Sequence, residues 1–238
     1  MKKSRFFLAV SFVSLLFVLL PAPAIADMWD VPVAPGESFR WVFVTSLTID
    51  ATSTEISTYN NKVNKAADVA TPITGVLGKS TIADIEWMAI ASTETINAKD
   101  NIAKSDAPIY TPTSHLVAND YDDLFDEYIL YPISQTEKVN VIYEGYVWTG
   151  SDRFGNKYPG KELGKSTDEL SMFGVSDRTP WYWIEYNDVG KYAEVQYPLY
   201  AISEELTVVP VPSALILGAT GLLSSTLGLK RLRRKHQE

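Results

Sequence analysis

Short blocks of hydrophobic residues along the middle of the chain predict a mixture of strands and helices. Residues 39–45 are aromatic and β-branched, which predicts a strand. The segment Thr52-Ser53-Thr54-Glu55 has the pattern of a capping box, and the apolar residues after it recur at helical spacing. A second helix is predicted from Ser92 to Ile102. Further strands are predicted at residues 85–91, 139–148, 181–186 and 198–203. Together these elements predict a single α+β domain at residues 27–205.

The first 26 residues have the three parts of a secretory signal peptide. Basic residues at positions 2, 3 and 5 precede an uncharged, mostly apolar stretch of 15 residues at 6–20, and the small-residue sequence Ala24-Ile25-Ala26 follows. We predict export through the Sec translocon and cleavage after Ala26 by signal peptidase. An uncleaved membrane anchor is the alternative, but an apolar stretch of 15 residues is short for a membrane span.

The other end of the chain carries a second membrane signal. Residues 206–229 contain no charged residue, and Lys230 begins a block of five basic residues. A helix over 212–229 would be about 27 Å long, close to the roughly 30 Å thickness of a bilayer core. Because basic flanks remain in the cytoplasm, we predict that the body of the protein lies outside the inner membrane.

The C-terminal segment 206–238 has three parts, which are a motif at 209–214, the apolar helix at 212–229 and a basic tail at 230–238. Together with a signal peptide, these parts resemble the PEP-CTERM sorting signal of bacterial proteins that an exosortase processes. The usual motif is Pro-Glu-Pro, and valine takes the place of glutamate here. The resemblance implies exosortase as a partner, transient anchoring in the inner membrane, and release to the cell surface or to the exopolysaccharide matrix of a biofilm. The matching residues are Pro210, Val211, Pro212, Arg231, Arg233 and Arg234.

The composition excludes several classes of function. The 238 residues include no cysteine and two histidines, which rules out disulfides, thiolate metal sites and a thiol nucleophile. The two terminal segments hold eight of the 21 basic and one of the 29 acidic residues, so the body has 13 basic against 28 acidic residues. This net charge of −15 opposes binding to nucleic acid. No Gly-x-Ser-x-Gly motif accompanies His115, so we expect the protein not to be an enzyme.

Two acidic segments are candidate calcium sites. Asp120 and Asp122 belong to the densest acidic cluster, and carboxylate oxygens are ligands that calcium prefers. The second segment, Asn187 and Asp188, is a candidate through the family resemblance described below. Each segment has a simpler interpretation. The first can be a helix start, where the dipole favours negative charge, and the second can be an ordinary turn.

A run of aromatic residues is the candidate ligand-binding segment. If residues 181–186 form a strand, Trp181 and Trp183 lie on the same face and could stack on sugar rings. Alternating aromatic residues in a strand also commonly belong to the core, which is the alternative interpretation.

Six segments of the body occur in an order that is typical of one known architecture. They are Phe43-Val44-Thr45, residues 87–93, Ala107-Pro108-Ile109-Tyr110, Asp123-Leu124-Phe125, Val147-Trp148-Thr149-Gly150-Ser151-Asp152 with Gly155, and residues 199–202. In this order they resemble the C-type lectin-like fold, most closely its endostatin-like branch. The resemblance implies that the last strand returns beside the first. Because the family's disulfide cysteines are absent, it also implies that Trp41, Trp87 and Trp148 fill the core.

The same resemblance bears on calcium. Sugar-binding C-type lectins hold calcium with a Trp-Asn-Asp motif, and Tyr186-Asn187-Asp188 occupies a similar position here. The family's upstream partner motif is missing, and Asp168-Glu169 is its nearest replacement. Calcium is therefore the candidate cofactor, without a complete ligand set.

Three functions are compatible with these predictions. The first is an exported protein of the cell surface or matrix that binds a ligand, with exopolysaccharide as the candidate. The second is an acidic structural protein of the matrix that has no defined pocket. A weaker third is a glycan hydrolase that uses two carboxylates, for which the sequence offers no pair in a suitable context.

Overall fold

A computed structural model describes residues 29–70 and 82–210 and places them in a mixed α+β fold that is mostly sheet, with few helices. The strands are β1 (Ser38–Val44), β2 (Trp87–Ala89), β3 (Ile109–Tyr110), β4 (Leu116–Ala118), β5 (Tyr146–Trp148), β6 (Leu170–Val175), β7 (Gly190–Tyr192), β8 (Tyr200–Ser203) and β9 (Leu206–Thr207). The α-helices are α1 (Ile56–Ala67), α2 (Ala98–Asn101) and α3 (Tyr121–Leu124), and short 3-10 helices lie at Ile82–Asp84 and Trp181–Trp183.

The larger sheet has six strands, five of them in the order β2-β8-β1-β3-β4. Its central strand β1 runs antiparallel to β8, with Val42 opposite Ile202, and parallel to β3. The expectation that the last part of the body returns beside the first strand is therefore confirmed. The sixth strand, β9, also pairs with β1, with Ser38 opposite Thr207, so the sheet extends beyond residue 205, where we predicted that the body ends.

The smaller sheet has three strands in the order β5-β6-β7. Tyr146 lies opposite Val175, and Leu170 lies opposite Tyr192, with both pairs of strands antiparallel. Strands β6 and β7 have no counterpart among the predicted elements. The sheet is joined to the larger one through Trp148, which forms a parallel bridge with Leu199 just before β8.

Both faces of the larger sheet are buried, which explains why β1 is hydrophobic along almost its whole length. Phe39, Trp41 and Phe43 point to one hydrophobic cluster, whereas Val42 and Val44 point to the other. Rings of Trp29, Trp41, Phe43 and Trp87 meet edge to face in the first cluster, with centroids 4.8 to 5.7 Å apart.

The predicted role of the tryptophans is confirmed. Trp41, Trp87 and Trp148 are each no more than 1% exposed, so all three belong to the core. Helix α1 closes the first cluster with Tyr59, Val63 and Ala66, the face that the helical spacing predicts.

Side chains of α1 and α2 cover the free edge of β2. The Asn64 amide donates to the Trp87 carbonyl over 2.7 Å and accepts from the Trp87 N–H over 3.1 Å. Asn60 accepts from the Ala89 N–H, and Asn101 donates to the Ala89 carbonyl. These amides replace a neighbouring strand at an edge that would otherwise be open to pairing with another chain.

Several predicted elements differ from the structure; for example, the strand predicted at 139–148 is confined to Tyr146–Trp148. Helix α1 begins at Ile56 rather than in the capping-box segment. The Ser53 hydroxyl accepts a hydrogen bond from the Glu55 N–H and donates one to the Thr58 hydroxyl, so it does not cap a helix that starts earlier. Helix α2 begins at Ala98, whose N–H donates to the Ser92 hydroxyl across the intervening loop. Residues 181–183 form a 3-10 helix rather than a strand.

In the two described ranges, no helix is both long and apolar enough to cross a membrane. The predicted signal peptide (1–26, with Ala24 and Ala26) and the predicted sorting helix (212–229) lie outside these ranges. So do Val211, Pro212, Arg231, Arg233 and Arg234, whereas Pro210 is described and exposed.

Candidate ligand-binding groove

An open groove with a volume of about 460 Å³ lies beside the segment that follows strand β6. We call it the 177–187 groove, because a single stretch of chain supplies its lining. The lining residues are Asp177, Arg178, Thr179, Pro180, Tyr182, Tyr186 and Asn187.

Trp183 anchors this stretch of chain. Its side chain is fully buried, and its ring lies 5.7 Å from the ring of Tyr200 and 6.5 Å from that of Phe125. Trp183 is therefore a core residue, and its predicted role in ligand binding is wrong. In a 3-10 helix, residues two positions apart lie on different faces. Trp181 and Trp183 therefore point in different directions, whereas a strand would have placed them on the same face.

The far end of the stretch is held against β6. The Tyr186 N–H donates to the Phe173 carbonyl over 2.9 Å, and the Ile184 carbonyl accepts from the Thr149 hydroxyl over 2.6 Å. At Gly174 the main chain of Trp183 passes so close that a Cβ atom would overlap it. Glycine at this position therefore permits the approach that forms the groove.

Two half-buried tyrosines give the groove its aromatic character. The rings of Tyr182 and Tyr186 lie 5.7 Å apart, and Trp181 lies 5.0 Å from Tyr182. One face of Trp181 is occupied by the Arg153 guanidinium, which lies 5.0 Å from the ring. Because that face already holds a cation, the tyrosines offer the better platforms for a ligand.

Arg153 is fixed in place by acidic neighbours. It donates to the buried Glu185 carboxylate from its guanidinium over 2.9 Å and from its main-chain N–H over 2.8 Å, and it lies 3.7 Å from Glu127. The hydrogen bond to Glu185 is the main reason that the pKa of Arg153 is raised. Arg153 thus remains charged, and it holds the Trp181 ring next to the groove through its contact with that ring and its hydrogen bond to Glu185.

Asp177 supplies a carboxylate at the groove. One oxygen, Oδ2, accepts from the Glu144 N–H over 3.2 Å. The other, Oδ1, lies 3.4 Å from the Arg178 Nε but has no well-formed hydrogen bond from the described residues, although it is shielded from solvent. Below it, burial together with the charge of Asp177 raises the pKa of the Tyr200 hydroxyl well above its ordinary value. Oδ1 is therefore a buried acceptor without a partner among the described residues, and a ligand in the groove reaches it only if the Asp177 side chain rotates.

Asn187 and Asp188 form a turn, as the simpler interpretation of this segment predicts. Both residues have positive φ, 49° and 56°, and the Val189 N–H donates to the Tyr186 carbonyl over 3.0 Å. These angles define a tight turn of the type that Asn and Asp tolerate best. Of the two, Asn187 lines the groove.

The Asp188 carboxylate is already occupied. It accepts from the Lys161 ammonium over 2.8 Å and from the Tyr158 hydroxyl. The bond from Lys161 is the main reason that the pKa of Asp188 is lowered, and the bond to Asp188 raises the pKa of Tyr158 to about 12. A cation would have to displace Lys161 to reach this carboxylate.

The first acidic segment is a helix start, which was the simpler interpretation there too. Asp120 is the N-cap of α3 and accepts from the Asp123 N–H over 2.8 Å, while Asp122 is exposed and lies 3.4 Å from the Lys104 ammonium. Across residues 29–70 and 82–210, no three His, Cys, Asp or Glu side chains are grouped so that they could hold a metal ion. Neither calcium candidate therefore forms a ligand cage in this part of the chain.

Only part of the groove is predicted by the sequence. Trp181 and Asn187 lie at or beside it, but Asp177, Tyr182 and Tyr186 are not among the predicted ligand-binding residues. The signal that could have found them is the change from Asp-Arg-Thr-Pro to an aromatic run at residues 177–183. The sequence matches no protein-family model and no curated protein, so the chemistry of the groove carries the functional argument.

Proposed function

We propose that this protein is an exported binding protein of the cell surface or exopolysaccharide matrix and that its ligand is a carbohydrate. The observation that carries the proposal is the 177–187 groove, in which Tyr182 and Tyr186 stand beside Asp177, Arg178 and Asn187. The volume of about 460 Å³ is in the range that is common for small-ligand sites.

The side chains of the groove match the two kinds of surface that a sugar presents. The C–H groups of a sugar ring carry slight positive charge and pack against the negative face of an aromatic ring, which the tyrosines supply. Sugar hydroxyls both donate and accept hydrogen bonds. Asp177 and the Asn187 oxygen accept, whereas Arg178 and the Asn187 nitrogen donate.

The proposed binding does not use calcium. The Asp188 carboxylate is bonded to Lys161, and Asp120 caps a helix, so both candidate sites have other partners. Direct hydrogen bonds between the sugar hydroxyls and the side chains of Asp177, Arg178 and Asn187 would replace a bridging cation. Titrations with a chelator present should therefore give the same affinity as titrations with calcium.

We also propose that the body is a C-type lectin-like domain without disulfides. The antiparallel pairing of β1 with β8 supports this assignment, as does the sharp turn after Trp148. In that turn Gly150 has a φ of 60°, and a Cβ atom there would overlap the Ser92 carbonyl. A glycine is therefore required at the position where the family's motif has one.

Export and sorting complete the proposal. A signal peptide (1–26) and a PEP-CTERM-like signal (206–238) would take the protein through the Sec translocon and then to an exosortase, with the C-terminal helix as a transient membrane anchor. Replacing Pro210 and Pro212 with alanine should leave a longer, membrane-bound form in the producing bacterium, detectable by immunoblotting of membrane and matrix fractions. Unchanged processing and release would overturn this part of the proposal.

The ligand assignment is tested by calorimetric titration of the purified full-length chain in detergent with cellohexaose and chitohexaose. We expect saturable binding that is weakened about tenfold by Tyr182→Ala or Tyr186→Ala. Tyr192→Ala is the matched control, because this exposed tyrosine lies in β7 outside the groove. Absence of binding to either oligosaccharide would contradict the carbohydrate proposal. Calcium-induced self-association without such binding would favour the structural alternative.

A further inference from the structure

We infer that the ligand is an extended polysaccharide segment that continues from the 177–187 groove along a strip of tyrosines, rather than a single terminal sugar. This inference rests on the proposed carbohydrate function and adds the length and direction of the bound segment. We call the surface the tyrosine strip and define it by Tyr182, Tyr186, Tyr146 and Tyr197.

The four rings of the strip form a continuous series of contacts. Successive centroids lie 5.7, 6.4 and 5.6 Å apart, from Tyr182 to Tyr186, then to Tyr146, then to Tyr197. These spacings are similar to the repeat of successive units in a linear glycan. The rings are inclined to one another by 61°, 45° and 75°, so successive units of a bound chain would contact ring faces and ring edges rather than one flat platform.

The strip is accessible although its rings pack on the core. Tyr146 is 37% exposed, and the other three tyrosines are half-buried. Beneath them Phe173 lies 4.9 Å from Tyr146 and 5.4 Å from Tyr186, so the tyrosines rest on a rigid base. Aromatic side chains that are held this way lose little conformational freedom when a ligand binds.

Polar groups lie at two positions along the strip. Asp177 and Asn187 accompany its beginning in the groove. Lys191 lies on the neighbouring strand β7, and its ammonium lies over one face of the Tyr146 ring, 5.1 Å from the centroid, so a sugar unit at Tyr146 must pack on the part of the ring that this cation leaves exposed. Donors and acceptors beside the rings allow hydroxyl groups of more than one sugar unit to be bonded. A binding site for one terminal sugar would need only the groove.

The neighbouring residue in β7 provides an internal control. Tyr192 follows Lys191 directly, so its side chain points to the opposite face of the three-stranded sheet. It is 54% exposed and paired in register with Leu170. Substitution of Tyr192 therefore removes an exposed tyrosine and leaves the four tyrosines of the strip in place.

The test compares two-unit and six-unit oligosaccharides of the cello and chito series on the full-length chain, with a chelator present. We expect the six-unit oligosaccharide to bind about tenfold or more tightly than the two-unit one. Tyr146→Ala should remove most of this difference by weakening six-unit binding alone, whereas Tyr192→Ala should leave it unchanged. Because Tyr146 also packs on Phe173, Tyr146→Leu serves as a second variant that keeps apolar packing and removes the ring.

The outcomes separate this inference from the proposed function. If two-unit and six-unit oligosaccharides bind equally, or if both Tyr146 variants bind the six-unit form like the wild type, the strip is overturned while the groove assignment stands. If neither length binds to the wild type, both are overturned. Loss of six-unit binding in Tyr192→Ala would also contradict the strip, since it would place the ligand on the other face.

Discussion

The contact between Gly174 and the main chain of Trp183 makes a sharp prediction about the groove. A Cβ atom added at Gly174 would lie 1.8 Å from the Trp183 carbonyl oxygen, 2.4 Å from its carbonyl carbon and 2.8 Å from the Ile184 nitrogen. All three are main-chain atoms, so no side-chain rotation relieves the overlap. To restore a contact of about 3.4 Å, the segment after β6 must move by about 1.6 Å.

Such a movement has two consequences. It strains or breaks the hydrogen bond of 2.9 Å between the Tyr186 N–H and the Phe173 carbonyl, and it pulls the Trp183 ring out of its place in the core. We expect Gly174→Ala to lower the free energy of unfolding by about 2 to 3 kcal/mol, the upper range for overpacking. Because Tyr182 and Tyr186 are on the displaced segment, oligosaccharide binding should weaken more than tenfold.

The assay is urea unfolding followed by tryptophan fluorescence, combined with titration of cellohexaose and chitohexaose. Gly160→Ala is the control, because a Cβ atom added at Gly160 has no neighbour within 4 Å. The only cost of alanine there comes from the positive φ of 78°. That backbone conformation costs about 1 to 2 kcal/mol for alanine, and binding should be unchanged. A Gly174→Ala variant with wild-type stability and wild-type affinity would refute the argument.

Three further predictions concern stability. Asn64→Ala should cost about 2 kcal/mol, because it leaves both main-chain groups of an edge-strand residue without partners, whereas Asn61→Ala on the exposed side of the same helix should change little; urea unfolding measures both. The hydrogen bond from Lys161 lowers the pKa of Asp188 in the folded protein. The ionised Asp188 therefore stabilises the fold at pH values above its ordinary pKa of 3.8, and this stabilisation is lost as the pH falls through the lower pKa of the folded state. Asp188→Asn should accordingly be less stable than the wild type near neutral pH, and unfolding at pH values below 3.8 should show the difference shrinking. Tyr200→Phe should be neutral or stabilising by up to about 1 kcal/mol, because the buried hydroxyl has no hydrogen-bond partner among the described residues; a large loss of stability would contradict this.

The parts of the fold that the sequence predicts well are those set by local patterns. Strand β1 alternates large aromatic residues with Arg40 and two valines and lies between two apolar clusters, so its mostly hydrophobic run predicts it directly. Tyr59, Val63 and Ala66 recur at helical spacing, and they are the buried face of α1. In each case the residues that define the pattern are also the ones that pack.

The parts that escaped prediction depend on contacts between distant segments. Strand β6 contains Ser171 and Gly174, which interrupt its apolar pattern, and both are buried because other main-chain segments approach them closely. The three successive aromatic residues at 181–183 are compatible with both a strand and a 3-10 helix. Pro180 as the N-cap and the packing of Trp183 on Tyr200 favour the 3-10 helix. The groove forms because residues 181–183 are a 3-10 helix rather than a strand. The positions of Tyr182 and Tyr186 along the sequence therefore could not assign them to one surface.

The central claim is that a carbohydrate binds in the 177–187 groove, and a crystal structure of the protein with bound cellohexaose or chitohexaose tests it most directly. The account predicts electron density for sugar rings on Tyr182 and Tyr186, with a hydroxyl within hydrogen-bond distance of the Asp177 carboxylate or the Asn187 amide. Density elsewhere, such as beside Tyr192 on the opposite face of the smaller sheet, or an empty groove at saturating oligosaccharide, would contradict it.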